Sequence, residues 1–162
     1  MLDILNKNDA AKKMVDDFRK GGGEFALDKE KAADFSDAEG SISGNTITVY
    51  APQIKSLNHA ADVILFELLR YKYRGERAIL DKQALAGATT KEKYATECEK
   101  LTYKYVKEHH RIVNSPTPLP KELDSYEDSL KDWDTFEKFL EYSKEVGHYQ
   151  TNEEYYDQLR NK

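Results

Sequence analysis

The run Val63-Ile64-Leu65-Phe66-Glu67-Leu68-Leu69 is the most apolar stretch of the chain, and it holds one carboxylate. Around it, positions 57, 60, 61, 64, 65, 68 and 69 recur at helical spacing, and Val63 and Phe66 widen the stripe on both flanks. A helix apolar over most of its circumference sits at the centre of a domain. A helix from Leu57 to about Tyr73, capped by Ser56, is therefore predicted to organise the fold. Glu67 is the anomaly in it. An ionised carboxylate buried alone is strongly disfavoured, so this side chain needs a partner, a proton or an opening to a site. Spacing places Arg70 and Tyr71 on its face, and a Glu67–Arg70 pair, or a cation from another helix, is the structural reading. The functional reading is a catalytic or ligand-binding carboxylate whose pKa is set by its apolar surround.

Toward the N-terminus, residues 41–50 read as a β-hairpin about Gly44-Asn45, closed by Pro52. A short strand at 24–27 precedes a polar turn or loop at 28–39. Gly21-Gly22-Gly23 stops an amphipathic helix over 8–20 that carries Ala11, Met14, Val15 and Phe18. Toward the C-terminus, Gly75 is expected to interrupt the central helix, with a second helix near 76–86 ending at Gly87. Thr89 and Glu92 have capping-box spacing and open a helix to about His110 or Ile112, with Tyr94, Cys98, Leu101, Tyr105 and Ile112 facing inward. Pro116, Pro118 and Pro120 make a stiff connector. Three short helices follow near 121–131, 135–146 and 152–160, the last two with boxes at Asp134/Glu137 and Thr151/Glu154. The expectation is one α+β domain over 1–162, mostly helical, with a small hairpin-built sheet packed on the central helix. Its parts are an N-terminal helix and glycine hinge (1–23), a core (24–113), and a proline connector with acidic helices (114–162).

The 162 residues are 39 % hydrophobic and 34 % charged, which reads as one soluble globular domain. No apolar run approaches the roughly 18–20 residues of a membrane span. The start, Met1 to Lys7, has neither a basic nor an apolar signal region, so a cytoplasmic protein, or one exported without a signal peptide, is expected. The single Cys98 excludes an internal disulfide framework and a cysteine zinc site, and reads as a small core residue. Residues 1–50 hold 7 basic and 10 acidic residues, residues 51–114 hold 12 and 8, and residues 115–162 hold 6 and 12. The basic middle between acidic ends suggests acidic C-terminal helices packed against it, solvated charged faces, or an anionic partner.

The hairpin strand, the apolar helix bearing a Glu, and the later helix with Tyr94-Ala95-Thr96-Glu97 resemble small zincin-type metallopeptidase domains of bacterial toxins and effectors. The resemblance spans roughly residues 40–113. It implies a central helix carrying His-Glu-x-x-His, two zinc ligands one turn apart with the Glu as general base. Here that helix reads Phe66-Glu67-Leu68-Leu69-Arg70, so the Glu is kept and neither ligand position can bind zinc. The resemblance thus implies a zincin-like scaffold without its metal, used for binding or for carboxylate chemistry.

Glu97 is the second candidate carboxylate, with Glu99 on a more exposed arc. Facing Glu67 across a cleft it would allow acid–base hydrolysis of peptide or glycan, with Tyr94 or Arg70 stabilising charge; its structural reading is a surface pair with Lys93, Lys100 or Lys104. Of the histidines, His59 shares a side with Glu67, so that a His59/Glu67 metal site completed by Glu97 or His109 is conceivable, while His109 also suits a helix C-terminus. No metal or other cofactor is expected. Arg70, Tyr71, Tyr73 and Arg74 interleave charge and rings as nucleic-acid binders do, but a pI near 5.5 argues against that partner. Eleven tyrosines favour a protein-contact surface. The leading expectation is a bacterial effector, or a protein associated with one, that acts by binding a protein.

Overall fold

Asn8 starts the first long helix. The computed structural model describes residues 1–30, 39–123 and 127–161. After a short helix α1 (Leu2–Leu5), the Asn8 side-chain oxygen accepts the Ala11 amide at 2.9 Å and caps helix α2 (Asp9–Lys20). Its amide nitrogen reaches the Ile112 carbonyl at 3.0 Å, Ser115 Oγ at 2.7 Å and the Thr117 carbonyl at 2.6 Å. One buried side chain thus fixes the entry of α2 and a stretch more than a hundred residues away. The glycines end α2 as expected: a Cβ on Gly23 would fall 2.6 Å from the Phe18 ring, so only glycine lets the chain fold back there.

Strand β1 (Glu24–Asp28) follows, then β2 (Gly40–Ser43) and β3 (Thr46–Tyr50), in the order β1-β3-β2. The β2–β3 hairpin turns on Gly44 with φ 57°, and Asn45 keeps a negative φ, the arrangement of a II′ turn. β1 pairs with β3 in parallel. The sequence reading of 28–39 falls largely outside the described residues. Pro52 lies in a single 3-10 turn, Ala51–Gln53, and Ser56 Oγ accepts the His59 amide at 3.0 Å to open helix α3 (Leu57–Lys72).

α3 is the central helix. Ala60, Ala61, Val63, Ile64, Leu65, Leu68 and Leu69 are buried in it, and the sheet packs on it through β2 and β3. Leu57, expected in the stripe, stands 67 % exposed in the first turn, so the packed face begins at Ala60. Helix α4 (Arg74–Leu85) starts earlier than expected: the break falls at Tyr73, and Gly75 lies within the first helical turn. Glycine is tolerated there because first-turn amides have no partner inside the helix. Helix α5 (Lys91–Val113) runs 23 residues. Tyr94, Cys98, Leu101, Tyr105 and Ile112 are all buried, as their spacing predicts. Its cap is Thr90, whose Oγ accepts the Lys93 amide at 3.2 Å, rather than Thr89.

The remaining helices are α6 (Glu127–Asp132), α7 (Phe136–Glu145) and α8 (His148–Arg160), preceded by a 3-10 turn at Lys121–Leu123. The expected box at Asp134 is replaced by Thr135, which accepts the Lys138 amide, while Asp134 pairs with the Lys138 ammonium at 3.0 Å. Thr151 is not a cap either. α8 begins four residues earlier than expected, at His148, after Gly147 in the left-handed conformation, and the Thr151 hydroxyl donates to the Gly147 carbonyl.

The chain is therefore a mostly helical α+β protein with a small sheet against a central helix. Contacts divide it into a unit of Met1–Lys72 with Glu108–Ser125, and a second of Tyr73–Lys107 with Tyr126–Lys162. The first holds the sheet, α1 to α3 and the last turns of α5. The second holds α4, the earlier part of α5, and α6 to α8. Among the described residues no helix is long and apolar enough to cross a membrane.

Candidate functional site

In the first unit, Glu67 is 4 % exposed and its partner is the one that helical spacing names. Arg70 Nη1 donates to Glu67 Oε1 at 2.9 Å and to Oε2 at 3.1 Å. Burial raises the Glu67 pKa above the usual carboxylate range, and the Arg70 charge and hydrogen bond draw it back in part. The stem of Glu67 lies beneath β2. A Cβ added to Gly40 would stand 2.5 Å from Val63 Cγ1 and 3.9 Å from Glu67 Cγ, so strand and helix approach closely at this point. One turn before Val63 on α3, His59 Nε2 meets Glu39 Oε1 at 3.1 Å, and His59 Nδ1 accepts the Lys55 amide.

The other candidates of this unit are spent in packing. The Tyr71 ring meets Phe18 edge-on at 4.7 Å between centroids. Lys72 pairs with Glu108 at 2.7 Å. His109 is fully buried with Nε2 2.6 Å from Asp62 Oδ1, so a carboxylate on α3, in addition to any helix-end dipole, accounts for its position. Phe66 and Arg70, which flank Glu67 on α3, offer no metal donor.

In the second unit, Glu97 faces partly outward and its Oε1 accepts Lys100 Nζ at 2.7 Å on its own helix. Glu99, read from sequence as the more exposed of the two, is 1 % exposed. It belongs to a partly buried polar cluster that spacing alone did not reveal. Asn152 of α8 donates to Glu99 Oε1 at 2.7 Å and accepts Arg77 Nη1 at 3.2 Å. Arg77 Nε reaches Asp81 Oδ1 at 3.2 Å and Nη2 reaches the Tyr94 hydroxyl at 2.8 Å; that hydroxyl donates to Asp81 at 2.6 Å. Burial, joined by the Asp81 hydrogen bond, pushes the Tyr94 phenol far up, so it acts as a neutral donor. Burial likewise moves the Cys98 thiol up to about 11, which makes it an inert core residue. Tyr73 stacks on Tyr105 at 5.5 Å under Lys104, and Arg74 opens α4 at the surface.

The structure thus joins Glu67 to Arg70 and Tyr94 to Arg77, and places Glu67 and Glu97 in different units. Among the described residues no three His, Cys, Asp or Glu side chains gather into a group able to hold a metal ion. The signal for the missed residues was slight: Arg77 and Asp81 are an i, i+4 pair, but Asn152 lies 53 positions from Glu99. No family model, curated protein or solved structure matches the chain in the comparisons made.

Proposed function

We propose that this chain is a metal-free, zincin-like protein that works by binding another protein. The observation that carries the reading is the bridging of both oxygens of a nearly buried Glu67 by one nitrogen of Arg70. A general base must offer a lone pair to water or substrate, and here one guanidinium nitrogen bridges both oxygens while burial keeps solvent from the rest. On the zincin-like reading, a fixed cation stands where the second metal ligand would be and takes over the neutralising role of the metal. Leu57, Ile79, Leu85 and Val146, each between 47 % and 67 % exposed, are apolar side chains open to a partner. An effector, or a protein associated with one, is the setting that the sequence resemblance suggests for the partner.

The test is capture of a partner, by crosslinking in the source cells, with the full chain, with Glu67→Gln, and with Leu57→Asp and Ile79→Asp. The same partner is expected on the first two, and its loss is expected in a surface variant whose thermal midpoint is unchanged. A hydrolase acting through Glu67 is the second reading, favoured by the raised pKa of that carboxyl. Turnover of a peptide or glycan that falls by orders of magnitude in Glu67→Gln, with the fold intact, would establish it in place of the first.

A further inference from the structure

We propose that α8 is a displaceable plug over the surface made by α4 and the first turns of α5. Its alternative occupant is an amphipathic helix of a partner protein with a lysine or arginine where α8 has Asn152. The proposal rests on the protein-contact reading and names the site and the chemistry of the partner.

The first argument is an unfinished buried charge. Glu99 is 1 % exposed, Asn152 satisfies Oε1, and among the described residues Oε2 has no hydrogen-bond partner. A buried carboxylate oxygen left unpaired is costly, and it is rare in native proteins without a reason. Formal charges agree: Arg77 brings one positive charge to the cluster, Asp81 and Glu99 bring two negative ones, and Tyr94 stays neutral. The formal count leaves the cluster with one net negative charge, to which a cation is complementary. A longer cationic side chain at the Asn152 position would carry its charge toward the same carboxylate that Asn152 now meets.

The second argument is how α8 is held. Of its thirteen residues only Tyr149 and Leu159 are buried. Most of its other anchors are single hydrogen bonds or an exposed ion pair. The Tyr149 hydroxyl donates to the Glu92 carbonyl, and the Tyr156 hydroxyl to that of Thr89. Arg160 reaches the Ala84 and Leu85 carbonyls at the end of α4, and Lys91 pairs with Asp157. Each such bond is worth little net and is readily exchanged with water. Beneath them lies an apolar floor of Ala84, Tyr94 and Cys98, joined by Leu80, which would receive the apolar face of any helix laid there. The third argument is the joint. Gly147 turns α7 into α8 at φ 88°, and no side chain packs against the place of its Cβ.

Cys98 is a native reporter, since it packs under Leu159. In the full chain without denaturant, a thiol reagent is expected to label Cys98 through opening of α8, with little dependence on added urea. Asn152→Ala should speed labelling about tenfold with helix content retained. A synthetic peptide of residues 148–160 carrying Asn152→Lys should bind the full chain about tenfold tighter than the unaltered peptide, as a charge-assisted bond to Glu99 implies. That preference should vanish in Glu99→Gln. Labelling only at the rate of global unfolding would overturn the plug, and equal or absent binding of the two peptides would overturn the cationic partner. A partner captured by crosslinking alongside either failure would leave protein contact standing and move it to another surface.

Discussion

At the scale of single residues, two buried polar side chains carry more than their size suggests. Asn8 caps α2 and holds three acceptors near the far end of α5. Asn8→Ala removes the cap and leaves the Ile112 carbonyl without this buried donor, which should lower unfolding free energy by about 2–4 kcal/mol, read from urea denaturation. Asn8→Asp keeps the cap but turns a buried carboxylate oxygen toward the Ile112 and Thr117 carbonyls, so at neutral pH it should be no more stable than Asn8→Ala. Glu67 gives a pH test. Its folded pKa is raised above the ordinary 4.5, so the native state binds its proton more tightly than the unfolded chain does. The contribution of this group is therefore greatest below 4.5 and declines as pH rises through that value to the higher folded one. Glu67→Gln does not titrate, so the stability of the wild type relative to Glu67→Gln should fall between acid and neutral pH. A difference that grows with pH would mean that Arg70 outweighs burial.

At the scale of elements, helix caps show where local sequence stops deciding. Thr89-Thr90 and Asp134-Thr135 are doublets in which either residue can cap, and box spacing favours the first of each. The structure uses the second in both cases. For α5 a reason is visible: the Thr89 carbonyl is held by the Tyr156 hydroxyl, which keeps that residue outside the helix. Thr90→Ala and Thr135→Ala should each cost about 1 kcal/mol, and Thr89→Ala and Asp134→Ala less than about half of that, by thermal or urea unfolding. The central helix offers a sharper test. Phe66→His combined with Arg70→His writes His-Glu-x-x-His across Glu67 and frees its carboxylate from the guanidinium. If the scaffold is zincin-like, the double variant should retain zinc after dialysis where the wild type does not, measured by metal analysis. A folded double variant that takes up none would remove the zincin-like reading and leave the ion pair as the whole role of Glu67.

At the scale of the molecule, the elements whose burial repeats along the sequence were legible, and those fixed by distant contacts were not. The α3 stripe, the hairpin about Gly44 and the inner face of α5 follow from local periodicity. The burial of Glu99 depends on a helix that arrives 53 residues later, and nothing near Glu99 announces it. Local spacing sets Glu97 nearer the inner stripe and Glu99 on a more exposed arc, and the burial of Glu99 under α8 reverses that order. The charge pattern divides in the same way. Lys91 of the basic middle does reach Asp157 of the acidic C-terminal part. Arg77, Lys100 and Lys104, however, take Asp81, Glu97 and Glu76 from the middle itself, and Lys138 takes Asp134 from the acidic part. The Lys91–Asp157 pair is itself exposed on both sides, so the attraction it lends between the segments is open to screening. The screening length falls from about 10 Å at 0.1 M salt to about 3 Å at 1 M, so such attraction should be almost wholly removed at the higher concentration. Exposed pairs are each worth only about 0–1 kcal/mol. Raising sodium chloride across this range should therefore lower the unfolding free energy by no more than about 1–2 kcal/mol. A loss several times larger would show that the basic middle and the acidic helices act collectively, and would make their opposite charges a condition of the fold.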